Sequence, residues 1–324
     1  TEPQLNDFNE ILSIYRELPD TFVRDVVMKA TSKNMMNTLQ RCVLTLYSYD
    51  EKPDDISIPN VLRQALSLIA KMPLIAVYGY HAYRHYHENQ NLIIRNPKPE
   101  LSMAENILQM LHPDGDYTAL EAKVLDVALI LHADHGMNAS TFAARVCIAT
   151  LSDMYSAITA AIGTLKGPLH GGANEGVIEM LKEIGTEDRV DSYIEDKLAR
   201  KEKIMGMGHR VYRVLDPRAP HLRRMAIRLS SRIGEPKWIR MSERIAKLVR
   251  ERKGLNANVD FYSATVYYSI GIPTRLFTAI FSIARCSGWV AQVLEQMEDN
   301  TLYRPLTLYT GPKDRIPVPT IDMR

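Results

Sequence analysis

Helical periodicity dominates this chain from end to end and leaves almost no room for a sheet. Leu120, Val124, Val127, Ala128 and Leu131 recur at the spacing of one helix face, and Thr118 with Glu121 makes a capping box just ahead of them. Ser102 and Glu105 repeat that signal before Ile107, Leu108 and Leu111, and a helix rich in small residues is predicted over Asp153–Leu165. Two basic amphipathic helices are expected between His221 and Arg250, broken near Gly234 and Pro236, and one long apolar helix from Pro273 to Glu298. Period-two alternation with β-branched enrichment is confined to short stretches, so the fold class is all-α with many helices. No repeat of fixed period is evident, which argues against a helical solenoid.

Composition narrows the function. Forty basic against thirty-eight acidic side chains give a net charge of +2, too small a field to draw nucleic acid or an anionic membrane. Cys42, Cys147 and Cys286 lie far apart with no ligand spacing, so neither a disulfide framework nor a zinc site is signalled, and a reducing, cytoplasmic setting is expected. No apolar run approaches the roughly 18 residues of a membrane span. The chain opens on Thr1 in polar, helix-like sequence rather than on a signal pattern, and a natural segment ahead of it is expected.

Chemistry-bearing residues gather at the punctuation between helices. Four islands combine histidine, aspartate, arginine and glycine where a plain turn needs only glycine or proline. They are His132-Ala-Asp-His135-Gly-Met-Asn138, Gly167-Pro-Leu-His170-Gly-Gly-Ala-Asn174, Met205-Gly-Met-Gly-His209 running on to Arg218, and Asn258-Val-Asp260-Phe-Tyr-Ser263. In this order, and with the later Ser282-Ile-Ala-Arg285 and Tyr303-Arg304-Pro305, they resemble the signature segments of the citrate synthase family. The similarity runs from about the first helix to the carboxyl end, and the short bacterial and archaeal form is the nearest kind.

The resemblance implies a two-lobed, multi-helical homodimer with shared active sites, open to higher assembly, in which a small lobe closes over the substrates. The expected division is a large domain over 1–170, a small domain over 171–266 and the rest of the large domain over 267–324. The implied reaction condenses acetyl-coenzyme A with oxaloacetate and water to give citrate and coenzyme A, as the entry step of the tricarboxylic acid cycle. Acetyl-coenzyme A is then a co-substrate, and no tightly bound cofactor is expected.

The residues fit that chemistry on their own terms. A thioester methyl is a very weak carbon acid, so its deprotonation needs a base and a donor that stabilises the enolate oxygen. Asp260, between apolar Val259 and Phe261, is the candidate base, strengthened by partial desolvation; the alternative is a helix cap for a helix starting near Tyr262. His170, flanked by Gly167, Gly171 and Gly172, is the candidate donor to the thioester carbonyl, although a histidine in a glycine-rich turn is often structural. His209 is the candidate that polarises the keto oxygen of oxaloacetate and protonates the new alkoxide. The Gly206-Met-Gly208 sequence before it lacks the third glycine and preceding strand of a dinucleotide loop.

Two carboxylates on oxaloacetate call for cationic, preferably bidentate partners. The resemblance puts Arg218 and Arg285 in that role, Arg304 across from the other subunit, and His135 as a further contact. It also brings the loop Ile204, Met205, Gly206, Met207, Gly208 to the adenine of coenzyme A and Arg213 to a phosphate. His132 and His135 are three apart, but no third ligand is evident and no metal is expected. Asn256, Ala257 and Ala264 depart from the family's usual residues and leave acyl preference open. A 2-methylcitrate synthase using propionyl-coenzyme A would need the same residues, since one methylene is discriminated by only about 1–3 kcal/mol. A non-catalytic helical assembly protein is the reading from another class.

Overall fold

The computed structural model describes residues 1–209, 211–233, 236–311 and 318–323. The helices follow one another as α1 (Glu2–Tyr15), α2 (Met35–Leu46), α3 (Ile58–Glu88), α4 (Met103–Leu111), α5 (Ala119–His132), α6 (Ala139–Ile148) and α7 (Met154–Leu165). The second half continues with α8 (Ala173–Ile184), α9 (Val190–Ala199), α10 (Ala219–Ile233), α11 (Lys237–Lys253), α12 (Val259–Ser269) and α13 (Phe277–Glu298). Among the described residues no strand forms beyond an isolated antiparallel bridge between Met207 and Ala257. The chain is all-α.

Local signals place the helix starts. Both capping boxes form: Thr118 Oγ1 accepts from Glu121 N while Glu121 accepts from Thr118 N, and Ser102 and Glu105 do the same for α4. Asp153 caps α7 by accepting from Ser156 N at 2.8 Å. The predicted break in the basic stretch lies between α10 and α11, where Pro236 precedes Lys237; Gly234 lies outside the described residues. The long apolar helix enters through a single tight turn, Thr274–Leu276, after Pro273.

Helix α13 runs through the core, packing on α3, α5, α6 and α7, and carries the fully buried Trp289, Ile280, Phe277 and Val293. Each large apolar side chain so buried contributes about 1.5–3 kcal/mol. Helices α8 to α12 pack chiefly on one another, α12 against α8 and α10, α11 against α9. The expectation that no stretch is apolar enough to span a membrane needs correction. Ile58–Glu88 and Thr274–Glu298 both reach that length and hydropathy, and both are mostly buried within the chain. Their apolarity is that of core helices, buried over most of their apolar stretch.

Candidate active site

Asp260 does not cap its helix. The cap of α12 is Asn258, whose Oδ1 accepts from Asp260 N at 3.0 Å, so Asp260 stands in the first turn with its carboxyl free for other work. Its Oδ1 is closed off from solvent and has no hydrogen-bond partner, whereas the residue as a whole is half-buried. Burial pushes the carboxyl up to about 6, against the opposing pull of the Arg218 charge. A carboxylate left unsatisfied in this way is a stronger base than an exposed one.

The two histidines are held in defined tautomers. His209 Nδ1 accepts from the backbone N–H groups of Val211 and Tyr212 at 3.0 and 3.1 Å, so the proton of the neutral ring lies on Nε2. Burial lowers its proton affinity, against the opposing pull of Asp216. His170 is the mirror case. Its Nε2 accepts from Ser140 N at 3.3 Å and lies 2.9 Å from Ser140 Oγ, which leaves Nδ1 to carry the proton. Burial, reinforced by Arg285, pulls this ring down to about 4. The loop turns sharply to present it: Gly171 N donates to Leu165 O at 2.9 Å, and a Cβ on Gly171 would fall 2.5 Å from that same oxygen.

Cations converge nearby. Arg285 is only 2% exposed, donates from Nε to His132 O at 2.6 Å, lies over the Phe281 ring, and has no carboxylate partner among the described residues. Burial followed by Arg218 brings it down to about 10, the mark of a cation short of an anion. Arg218 instead grips Asp216 through Nε and Nη2 at 3.0 and 2.9 Å. His135 Nε2 lies 3.0 Å from the Tyr212 hydroxyl, and its ring is 5.3 Å from that of His209. Burial, then Arg218, bring His135 down to about 4. Asp260, His135, His170, His209, Arg218 and Arg285 thus form one electrostatic neighbourhood.

Other expected residues stand apart. Arg304 is exposed on the segment that follows α13, and its described hydrogen bond goes to Pro305 O at 2.9 Å rather than to a member of that group. Arg213 is also exposed, on the segment leading to Asp216. In the Ile204–Gly208 loop, Gly206 O accepts from Asn258 N, Gly208 N donates to Asn256 O, and Gly208 O accepts from Asn258 Nδ2. Those backbone groups are spent internally, Ile204 and Met207 are buried in the core, and Met205 packs against it. Gly206 has φ +74°, and a Cβ there would meet Val177 and Phe261 at 2.7 and 2.9 Å.

His132 is a core residue. It is fully buried, pairs Nδ1 with Ala128 O at 2.7 Å, and is driven down to about 3 by burial. No three His, Cys, Asp or Glu side chains gather to hold a metal among the described residues. Sequence reasoning missed Asp216, Tyr212 and Ser140, which support the functional side chains. Asp216 was legible in principle, as an aspartate two residues before Arg218 inside a marked island; the other two carry no signal of their own.

Comparison with known proteins extends the geometry. The family model for the citrate synthase C-terminal domain matches residues 1–306. The chain is 49% identical to citrate synthase 2 of Bacillus subtilis over 285 residues, 88% of this chain and 74% of that one. It is 43% identical to the citrate synthase of Haloferax volcanii over 97% of this chain and 82% of that one. A 2-methylcitrate synthase of Corynebacterium glutamicum is 35% identical over 98% of this chain and 83% of its own length. Among solved structures, the ternary complex of Thermoplasma acidophilum citrate synthase with carboxymethyl coenzyme A and oxaloacetate superposes with a TM-score of 0.89 at 34% identity, covering all of this chain and 85% of that one.

Proposed function

We propose, from the premise that the chain belongs to the citrate synthase family and condenses acetyl-coenzyme A with oxaloacetate and water to give citrate and coenzyme A, that Asp260, His170 and His209 carry the chemistry. Asp260 removes a methyl proton from the thioester. His170 donates its Nδ1 hydrogen to the thioester oxygen as that oxygen gains enolate charge. His209 donates from Nε2 to the keto oxygen of oxaloacetate and gives up that proton as the new carbon–carbon bond turns the oxygen into an alkoxide. Water then cleaves the citryl thioester. The observation that carries this reading is the pair of tautomers: backbone N–H groups occupy Nδ1 of His209 and Nε2 of His170, so each neutral ring has one N–H left to donate.

Oxaloacetate enters this scheme as the anion that Arg285 lacks, with Arg218 and His135 as further partners. Ile204, Met205 and Met207 with the flanking Gly206 and Gly208 take the adenine of coenzyme A, and Arg213 a phosphate. Residues 171–266 act as a small lobe closing on the remainder. Arg304 serves the site of a second copy in a homodimer. That assignment is supported by the segment bearing it, where Leu306 and Leu308 stand 95% and 87% exposed and lack a cover within their own chain. The three free cysteines fit a cytoplasmic setting.

A second reading, condensation of propionyl-coenzyme A, is favoured by the 2-methylcitrate synthase among the relatives. Thiol release measured with acetyl- and propionyl-coenzyme A, each with oxaloacetate, separates the two. Preference for acetyl by kcat/KM supports the first reading, preference for propionyl the second, and release from neither removes both.

A further inference from the structure

Tyr212 lies three residues beyond His209, on the segment between α9 and α10, and touches both histidines proposed to meet oxaloacetate. Its backbone N–H is one of the two that His209 Nδ1 accepts, at 3.1 Å. Its ring lies 4.6 Å from that of His209, centroid to centroid, and is tilted by 39° to it. Its hydroxyl reaches to 3.0 Å from Nε2 of His135, 77 residues away in the chain, and its ring meets the His135 ring edge-on at 5.4 Å. With the rings of His135 and His209 themselves 5.3 Å apart, two distant segments close one aromatic triangle.

Acid–base chemistry gives the direction of the hydroxyl bond. A phenol, with an ordinary pKa of about 10, is a far stronger acid than a neutral imidazole N–H, and the bare ring nitrogen is a stronger base than a phenolic oxygen. The O–H of Tyr212 therefore donates to His135 Nε2, and the bond made at one ring nitrogen fixes the proton on the other. Burial and then the charge of Arg218 bring His135 down to about 4, so the ring is neutral and owns a single N–H. That hydrogen is then on Nδ1, which has no partner among the described residues. In the opposite tautomer the hydrogen would be spent on the phenol oxygen, and Nδ1 would turn a lone pair toward any anion brought to it.

We propose that Tyr212 is a positioning residue for oxaloacetate: its hydroxyl holds His135 in the Nδ1–H tautomer and so reserves one N–H donor for the substrate. The inference rests on the assignment of His135 as an oxaloacetate contact and deepens it. Two services of one residue are separable here. The backbone of Tyr212 orients His209, whereas its hydroxyl serves His135, and only the second is removed when phenylalanine replaces tyrosine.

The test is Tyr212→Phe in the full chain, read by kcat, by KM for each substrate and by 15N spectra of the histidine rings. The unmodified protein should show His135 as the Nδ1–H form with Nε2 as acceptor. In Tyr212→Phe those signals should move toward Nε2–H, and KM for oxaloacetate should rise about 2- to 10-fold, the factor expected when the competent tautomer falls to between about half and a tenth of the population. Turnover at saturating oxaloacetate and KM for acetyl-coenzyme A should stay within about twofold, because both backbone N–H groups still hold His209. An unaltered His135 tautomer in Tyr212→Phe would overturn the proposal, as would a loss carried by kcat instead of by KM for oxaloacetate. An unmodified protein whose His135 carries its hydrogen on Nε2 would overturn it as well, whether or not the variant folds. His135→Ala is the control on the premise: if it leaves KM for oxaloacetate unchanged, the assignment of His135 has failed, while the ring spectra of Tyr212→Phe still report whether the hydroxyl sets the tautomer.

Discussion

Arg218 holds Asp216 in a two-point grip, Nε to Oδ1 at 3.0 Å and Nη2 to Oδ2 at 2.9 Å, while Asp216 Oδ2 also accepts from Val259 N at 3.1 Å. One buried carboxylate thus ties Arg218, the arginine proposed to meet oxaloacetate, to the first turn of the helix that carries Asp260, the proposed base. Asp216 is 1% exposed, so its charge is felt nearly undiluted, and it is one of the influences that hold Asp260 high.

Replacement of Asp216 by asparagine should therefore act in two directions. Arg218 loses its fork, and KM for oxaloacetate is expected to rise about 10- to 150-fold, the equivalent of about 1.5–3 kcal/mol for a hydrogen bond to a charged group. Removal of the negative charge also lets Asp260 ionise more readily, so the acid limb of kcat/KM should shift to lower pH. A limb that stays in place or moves upward would show that Asp216 does not bear on the base.

The base itself sets a pH window. If Asp260 is the base it must be ionised to act; burial pushes it up to about 6, whereas burial brings His170 and His135 down to about 4. The kcat/KM profile should then fall below about pH 6 with a single dominant titration, and Asp260→Asn should remove that limb while lowering kcat by about 10² to 10⁴. Oxaloacetate affinity should change little. Near-normal turnover in Asp260→Asn would take the residue out of the mechanism.

Much of this arrangement was legible from residue types at turns. Asp260, His170 and His209 stood out because glycine-flanked histidines and a desolvated aspartate are more than a turn requires, and the capping boxes located helices to the residue. Support for those residues was not legible. Nothing in the sequence marks Ser140 as the partner of His170, thirty residues away, or brings Trp289 to the same hydroxyl, because such contacts depend on how helices cross. Burial likewise decided what sequence left open: Asn258 rather than Asp260 caps α12, and the apolar runs of α3 and α13 belong to the core.

Backbone geometry supplies a further test at Gly206. Alanine there must adopt φ +74° and place its methyl within 2.7–2.9 Å of Val177 and of Phe261, the residue next to the base. We expect Gly206→Ala to cost about 1–3 kcal/mol of stability, seen as a lower denaturant midpoint, and to raise KM for acetyl-coenzyme A more than KM for oxaloacetate. Equal changes in both KM values would separate this loop from coenzyme A binding.

The shared site gives the sharpest prediction, because Arg304 is exposed and its described hydrogen bond goes to the neighbouring Pro305 O rather than to a member of the cluster. If each site draws His209 and Asp260 from one copy and Arg304 from the other, Arg304→Ala and His209→Ala should each give a nearly inactive homodimer. In the mixed dimer, one site joins the intact His209 of the first chain to the intact Arg304 of the second, and the other site carries both lesions. Loss of a charge partner for a buried carboxylate costs about 3–5 kcal/mol, a factor of a hundred or more, so damaged and restored sites are easily told apart. Activity per mixed dimer should return toward half of the unmodified value. Co-expression with two affinity tags, isolation of the doubly tagged species and a thiol-release assay measure it directly. A mixed dimer as inactive as both parents would place Arg304 in the site of its own chain, or in none.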